Sequence, residues 1–129
     1  MTHPGLISVL LAAICWVGVG TVDRAVDGDT LSALIRVWPN LLTTERVRVL
    51  GVNTPELKGP TLEAGRAAMA FSARWVRDAG GHPVELRFRT CGRDSFGRLL
   101  ADVYRGTDHL ATDLIAAGHG VPFARSPRP

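Results

Sequence analysis

Apolar and polar residues alternate along several short stretches of the chain. Leu31, Ala33, Ile35 and Val37 are interleaved with Ser32 and Arg36, and Val84, Leu86 and Phe88 with Glu85, Arg87 and Arg89. A period of two predicts strands with one apolar and one polar face. Val47 and Val49 between Arg46 and Arg48 predict a further strand that runs through Leu50-Gly51-Val52-Asn53 and stops at Pro55, and residues 21–26 and 99–104 add two more. The period changes over residues 61–78, where Ala64, Ala67, Ala68, Phe71 and Trp75 fall at helical spacing and predict a helix with that stripe in the core. Thr61 is its expected N-cap, Glu63 suits the first turn, and Gly80-Gly81 closes it. A short second helix is expected over residues 110–117, ending at Gly118.

Between these elements, Asp27-Gly28-Asp29-Thr30 reads as a hairpin turn, Trp38 to Thr44 as a loop, and Thr90 to Gly97 as a polar turn. A turn accounts for Asp27-Gly28 but leaves the second carboxylate, Asp29, unexplained. Five short strands, with a helix after the third and another after the fifth, fit an α+β, mainly β class: a five-stranded barrel of the oligonucleotide-binding (OB) type with two or three helices. With 129 residues the chain has room for one core.

Charge changes the picture at the N-terminus. Residues 1–20 hold no Asp, Glu, Lys or Arg. The apolar run over residues 6–20 is short for a membrane-spanning helix and typical in length of a signal-peptide core, with Gly18 and Gly20 as a small-x-small cleavage site before Thr21. No basic residue precedes the run, so three readings stand: a signal peptide, an uncleaved membrane anchor, or a misassigned start. The first two make the protein secreted or membrane-anchored and extracytoplasmic; the third makes it cytoplasmic. The folded domain is then expected over residues 21–120, followed by a Pro/Arg-rich tail at 121–129.

The remaining residues carry 15 basic and 12 acidic side chains, and every basic one except Lys58 is arginine. Guanidinium favours bidentate contact with phosphate, and the pI of about 9.5 is compatible with a polyanionic partner. Cys15 falls in the apolar leader and Cys91 in a turn, so a single thiol is expected in the folded part, with no disulfide and no cysteine-based zinc site. His109 and His119 read as surface residues. Nothing in the sequence signals oligomerisation, and a monomer is expected.

Three segments carry the candidate chemistry: Val26-Asp27-Gly28-Asp29-Thr30, then Val47-Arg48-Val49-Leu50-Gly51-Val52-Asn53-Thr54-Pro55-Glu56, then Asp94-Ser95-Phe96-Gly97-Arg98-Leu99-Leu100-Ala101. In this order they resemble the staphylococcal nuclease (thermonuclease) family across residues 21–118. The resemblance implies an OB barrel and Ca2+-dependent hydrolysis of DNA and RNA phosphodiesters. By position it implies that Asp29 binds the metal, that Arg48 and Arg98 grip the reacting phosphate, and that Glu56 activates the attacking water. Thr54 matches a residue whose backbone carbonyl reaches the metal, while Asp27 and Asp94 match supporting carboxylates.

The residue chemistry agrees with those roles. A phosphodiester under attack gains charge on its equatorial oxygens, where two permanently charged guanidinium forks are suitable donors. Hard oxygen ligands favour Ca2+ over zinc and leave Mn2+ or Mg2+ open. Glu56 is the expected general base. Asn53 stands where the family usually places a second metal-binding aspartate; it offers oxygen without charge, which predicts weaker Ca2+ binding. Phe96, where a tyrosine is common, keeps a stacking face, and Trp38 is a candidate either for base stacking or for packing. The expected function is a metal-dependent endonuclease of little sequence specificity that prefers single-stranded DNA, with RNA as a further substrate. The alternative is an OB module that binds single-stranded nucleic acid with a weakened metal site. A blander third reading is a membrane-attached barrel, held through residues 6–20, that binds another protein.

Overall fold

The computed structural model describes residues 14–124. Eight strands and two helices follow in order: β1 (Trp16–Ala25), β2 (Thr30–Trp38), β3 (Leu41–Val49), β4 (Gly51–Asn53), a 3-10 turn (Gly59–Thr61), α1 (Leu62–Trp75), β5 (Leu86–Arg93), β6 (Leu99–Arg105), β7 (Asp108–His109), α2 (Leu110–Ala116) and β8 (Val121–Phe123). Strands β3, β2, β1, β5 and β6 pair in that order, and β3 meets β6 in parallel to close a five-stranded barrel of OB type. β7 extends β6, and β4 pairs with β8 as a separate ribbon. Among the described residues, no helix is long and apolar enough to cross a membrane.

The inward positions of the alternating strands fill the barrel. Leu31, Ala33 and Ile35 of β2 meet Val47 and Val49 of β3, Leu86 and Phe88 of β5, and Ala101 and Val103 of β6, all essentially inaccessible. Each such Val, Leu, Ile or Phe side chain contributes about 1.5–3 kcal/mol by leaving water. Leu110 and Leu114 of α2 close the same cluster.

Four expectations are corrected. β1 begins at Trp16, not at residue 21, because the end of the apolar run pairs on both sides: Trp16 to Gly20 with β5, and Val19 and Gly20 with β2. Gly18 and Gly20 permit this closeness, since a Cβ on Gly20 would collide with the Leu34 carbonyl. Residues 6–13 of the expected leader lie outside the described residues, as do residues 125–129 of the tail.

Second, Cys15 and Cys91 form a disulfide, because pairing Trp16 with Thr90 brings their neighbours face to face. Third, β3 starts at Leu41, so the expected loop is only the Pro39-Asn40 turn. Fourth, α1 buries Gly65, Ala68 and Ser72, with Phe71 and Trp75 partly covered, while Ala64 and Ala67 face solvent. The face is rotated because the backbone beneath it demands small residues. Thr61 is the N-cap residue of α1, as expected, but its hydroxyl makes no capping bond and donates instead to the carbonyls of Glu56 and Lys58 at 2.8 and 3.0 Å.

Candidate active site

Register places Arg48 on β3 and Arg98 just before the neighbouring β6, both at the barrel's seam. Thr30 of β2 lies opposite Arg48 of β3, and Arg48 lies opposite Leu100 of β6, two residues beyond Arg98. The turn between β1 and β2 delivers Asp27 and Asp29 to the same edge, and the chain leaving β4 delivers Thr54 and Glu56. Seven of the ten residues singled out from the sequence, Asp27, Asp29, Arg48, Asn53, Thr54, Glu56 and Arg98, line one open cavity of about 280 Å³ with Pro55 and Phe123.

Arg48 is nearly buried, and its guanidinium is bonded to the protein on several sides. Nη1 donates to the carbonyls of Val49 and Val52 at 2.7 and 2.9 Å; Nη2 donates to Asn53 Oδ1 at 2.9 Å and lies 3.4 Å from Asp29 Oδ2. Asp29 Oδ2 also accepts the Thr54 backbone N–H at 2.9 Å, which fixes the turn before Pro55. Arg98 donates from Nε to Asp94 Oδ2 at 2.7 Å and from Nη1 to the Thr30 hydroxyl at 3.3 Å. The Thr30 hydroxyl lies 3.5 Å from Asp29 Oδ1, so Asp29 is linked to both arginines, directly and through Thr30.

Asp94 holds Arg98 from outside the cavity. Its carboxylate accepts the backbone N–H groups of Phe96 and Arg98, shaping the turn as well as fixing the guanidinium. Burial acts to raise its pKa, but the hydrogen bonds from Arg98 and the turn outweigh that and hold the carboxyl below its ordinary range. Phe96 is exposed at the tip of this turn, with Arg98 5.8 Å from its ring centroid, and does not line the cavity. Trp38 does not reach the cavity either: it sits at the β2–β3 hairpin, at the far end of β3 from Arg48.

The acidic corner has its own electrostatics. The Asp27 carboxyl is pushed up to about 6, by burial first and then by the hydrogen bond and negative charge of Asp29. Two carboxylates in one half-buried corner, with Asn53 and Thr54 lining the same cavity, make an all-oxygen donor set. That chemistry fits a hard divalent cation, which would relieve the repulsion. Among the described residues no group of three or more His, Cys, Asp or Glu could hold a metal by itself, so amide, backbone or solvent oxygens would complete the shell. Glu56 stands at the solvent side, 71% exposed in its side chain and 3.4 Å from Lys58 Nζ, a loose ion pair.

Three residues that the sequence reading passed over support this site. Ser72 of α1 donates to the Gly28 carbonyl at 2.6 Å and anchors the acidic turn. Gly65 brings α1 against the Glu56 segment, because a Cβ there would stand 2.6 Å from the Glu56 carbonyl oxygen. Phe123 enters from β8, which pairs Val121 with Asn53 and Phe123 with Gly51, and its ring lies 5.8 Å from the Arg48 guanidinium carbon. Small residues at 65, 68 and 72, one helical face, were the available signal for the first two; β8 is too short to have given one.

No family model matches the chain. Over 100 residues, 75% of this chain and 55% of the relative, it is 31% identical to a thermonuclease of Staphylococcus intermedius. It is 32% identical over 99 residues to endonuclease YncB of Bacillus subtilis (strain 168), and 35% identical over 99 residues to the SPbeta prophage-derived endonuclease YokF of the same organism. Those two alignments cover 76% of this chain and 44% and 32% of the relatives, so the chain spans about half or less of the length of the curated relatives it matches.

Proposed function

Because this chain belongs to the staphylococcal nuclease family, we propose that it is a metal-dependent endonuclease that hydrolyses phosphodiester bonds of DNA, and of RNA, with little sequence preference. The observation that carries the reading is the convergence of Arg48, Arg98, Asp29 and Glu56 on one open cavity. A binding barrel needs the arginines, but it has little use for a carboxylate held at the cavity's solvent side.

In this reading Arg48 and Arg98 bracket the scissile phosphate and offer fixed N–H donors to the charge that builds on its oxygens. Their bonds to Asp29, Asn53, Asp94 and Thr30 keep them oriented, so little reorganisation is required as that charge develops. Glu56 removes the proton from the attacking water, its exposed side chain leaving it open to solvent. Asp29, with Asp27, Asn53 and the Thr54 carbonyl, would hold a hard dication such as Ca2+, which when bound polarises a phosphoryl oxygen and orders water. An unstacked strand reaches an open cavity of this size more readily than a duplex, which favours single-stranded substrates. The Cys15–Cys91 disulfide supports an extracytoplasmic, oxidising location.

The second reading, a non-cleaving nucleic-acid-binding module, is favoured by one feature: Asn53 brings no charge to the acidic corner, and its oxygen already accepts from Arg48. One experiment separates the two. The full chain is incubated with heat-denatured DNA in Ca2+, in chelator, and as the Glu56→Gln variant. Metal-dependent cleavage that falls by about 10²–10⁴ in the variant, with DNA binding retained, is the expected result. Salt-sensitive binding with intact DNA in Ca2+, Mg2+ and Mn2+ establishes the binding module instead.

A further inference from the structure

The outward face of β3 leads from the cavity to its rim. Val47 and Val49 belong to the core, so Arg46 and Arg48, which alternate with them, face outward, opposite Ser32 and Thr30 of β2. Two residues of strand separate the arginines, a step of about 7 Å. Arg48 is nearly buried and bonded to the protein, whereas Arg46 is exposed and does not line the cavity. Among the described residues Arg46 has no hydrogen bond and no ion pair.

The seam gives Arg46 a second charged neighbour. Val47 lies opposite Leu99 in the parallel pairing of β3 with β6, so the residues before them, Arg46 and Arg98, leave the seam side by side. Phe96, 81% exposed, has its ring centroid 5.8 Å from the Arg98 guanidinium carbon. An exposed cation and an exposed ring thus accompany the arginine that reaches into the cavity. Glu45 does not offset Arg46: it alternates to the opposite face of β3, where Arg93 donates to it at 2.6 and 3.0 Å. Asp23 and Glu85 belong to shallow surfaces around Thr21 and Leu34, of which Arg46 is not part.

A strand whose reacting phosphate sits between Arg48 and Arg98 continues past the rim. We propose that Arg46 is a further substrate-binding residue, which holds the phosphate next to the scissile one and extends the site along the outer face of β3 by about one nucleotide. The occupant is a single strand, since an unstacked backbone can follow β3 while Phe96 offers a face to a base. The inference rests on the reading of the cavity as a phosphate site, and it holds with or without cleavage.

Fluorescence anisotropy of the full chain with a labelled dodecathymidylate, in chelator, reads this contact directly. Arg46→Ala is expected to weaken binding by about tenfold and to flatten the slope of log affinity against log salt by about 0.7, one phosphate contact on a single strand. Arg46→Lys should recover most of the affinity. The dinucleotide TpT has a single phosphodiester, so its inhibition constant against the label should be the same for the wild type and Arg46→Ala. Arg89→Ala, which removes an equally exposed charge from β5, should leave both readouts unchanged. Equal losses in Arg46→Ala and Arg89→Ala, or none in either, overturn the proposal, because the effect is then one of net charge or is absent. A matching loss for TpT also overturns it, since Arg46 would then act on the scissile phosphate through Arg98. Binding without cleavage in any metal removes the nuclease reading and leaves this one standing; no binding by the wild type removes both.

Discussion

Gly65 does what no larger residue can do at the meeting of α1 with the Glu56 segment. Helix propensity alone would make Gly65→Ala stabilising by about 1 kcal/mol. A Cβ 2.6 Å from the Glu56 carbonyl oxygen instead forces the helix or the segment to move. The expected outcome is a net loss of about 1–3 kcal/mol in chemical unfolding and a fall in cleavage of about tenfold or more, read as kcat. Unchanged activity would mean that Glu56 does not depend on α1 for its position. Residues of this kind were hard to read in advance. A glycine inside a helical pattern signals weakness, and only the backbone it touches, here the Pro55–Glu56 segment, gives it a purpose. Asp29, Arg48, Glu56 and Arg98 stood out through the resemblance of three segments in this order to the nuclease family, and all four line one cavity. Trp38 stayed open between base stacking and packing because a single exposed ring carries no sign of which end of a strand it occupies.

Among the elements, the alternating ones were legible and the ones without contrast were not. β2 and β5 announce themselves by alternation; the first half of β1 is uncharged on both faces and looked like leader. β8 is three residues with a proline in the middle, yet it brings Phe123 to the cavity. Phe123→Ala should raise KM for single-stranded DNA by about tenfold, as expected for one lost stacking surface, and leave kcat nearly unchanged. A fall in kcat at constant KM would instead tie the ring to the posture of Arg48. Between β3 and β5, Glu45 accepts two bonds from Arg93 at 2.6 and 3.0 Å. That bond, opposed by burial, holds the Glu45 carboxyl below its ordinary 4.5. A depressed carboxylate stabilises the fold fully above 4.5, and the contribution is lost as pH falls through the lowered value. Arg93→Ala should therefore cost about 0.5–1 kcal/mol near neutrality, and its unfolding curve should merge with the wild type's in acid.

For the whole molecule, the disulfide joins positions 76 residues apart and ties the first strand to the fifth. Opening it removes a constraint on the unfolded chain worth about 2–4 kcal/mol. Thermal melts with and without reductant should differ by roughly 10 °C or more, and a Cys15→Ser, Cys91→Ser double variant should match the reduced protein. The pairing was hidden because it crosses the boundary drawn between leader and domain, and the boundary itself came from the absence of charge. The parallel contact between β3 and β6 has a consequence in time. Asp29 and Arg48 leave the ribosome early, but Arg98 follows some fifty residues after Arg48 and joins them only when β6 closes the seam. Such long-range closure is slow and late in folding. A nascent chain therefore carries an incomplete site until β6 has emerged, so the proposed cleavage of nucleic acid would begin only once residues 99–105 are in place.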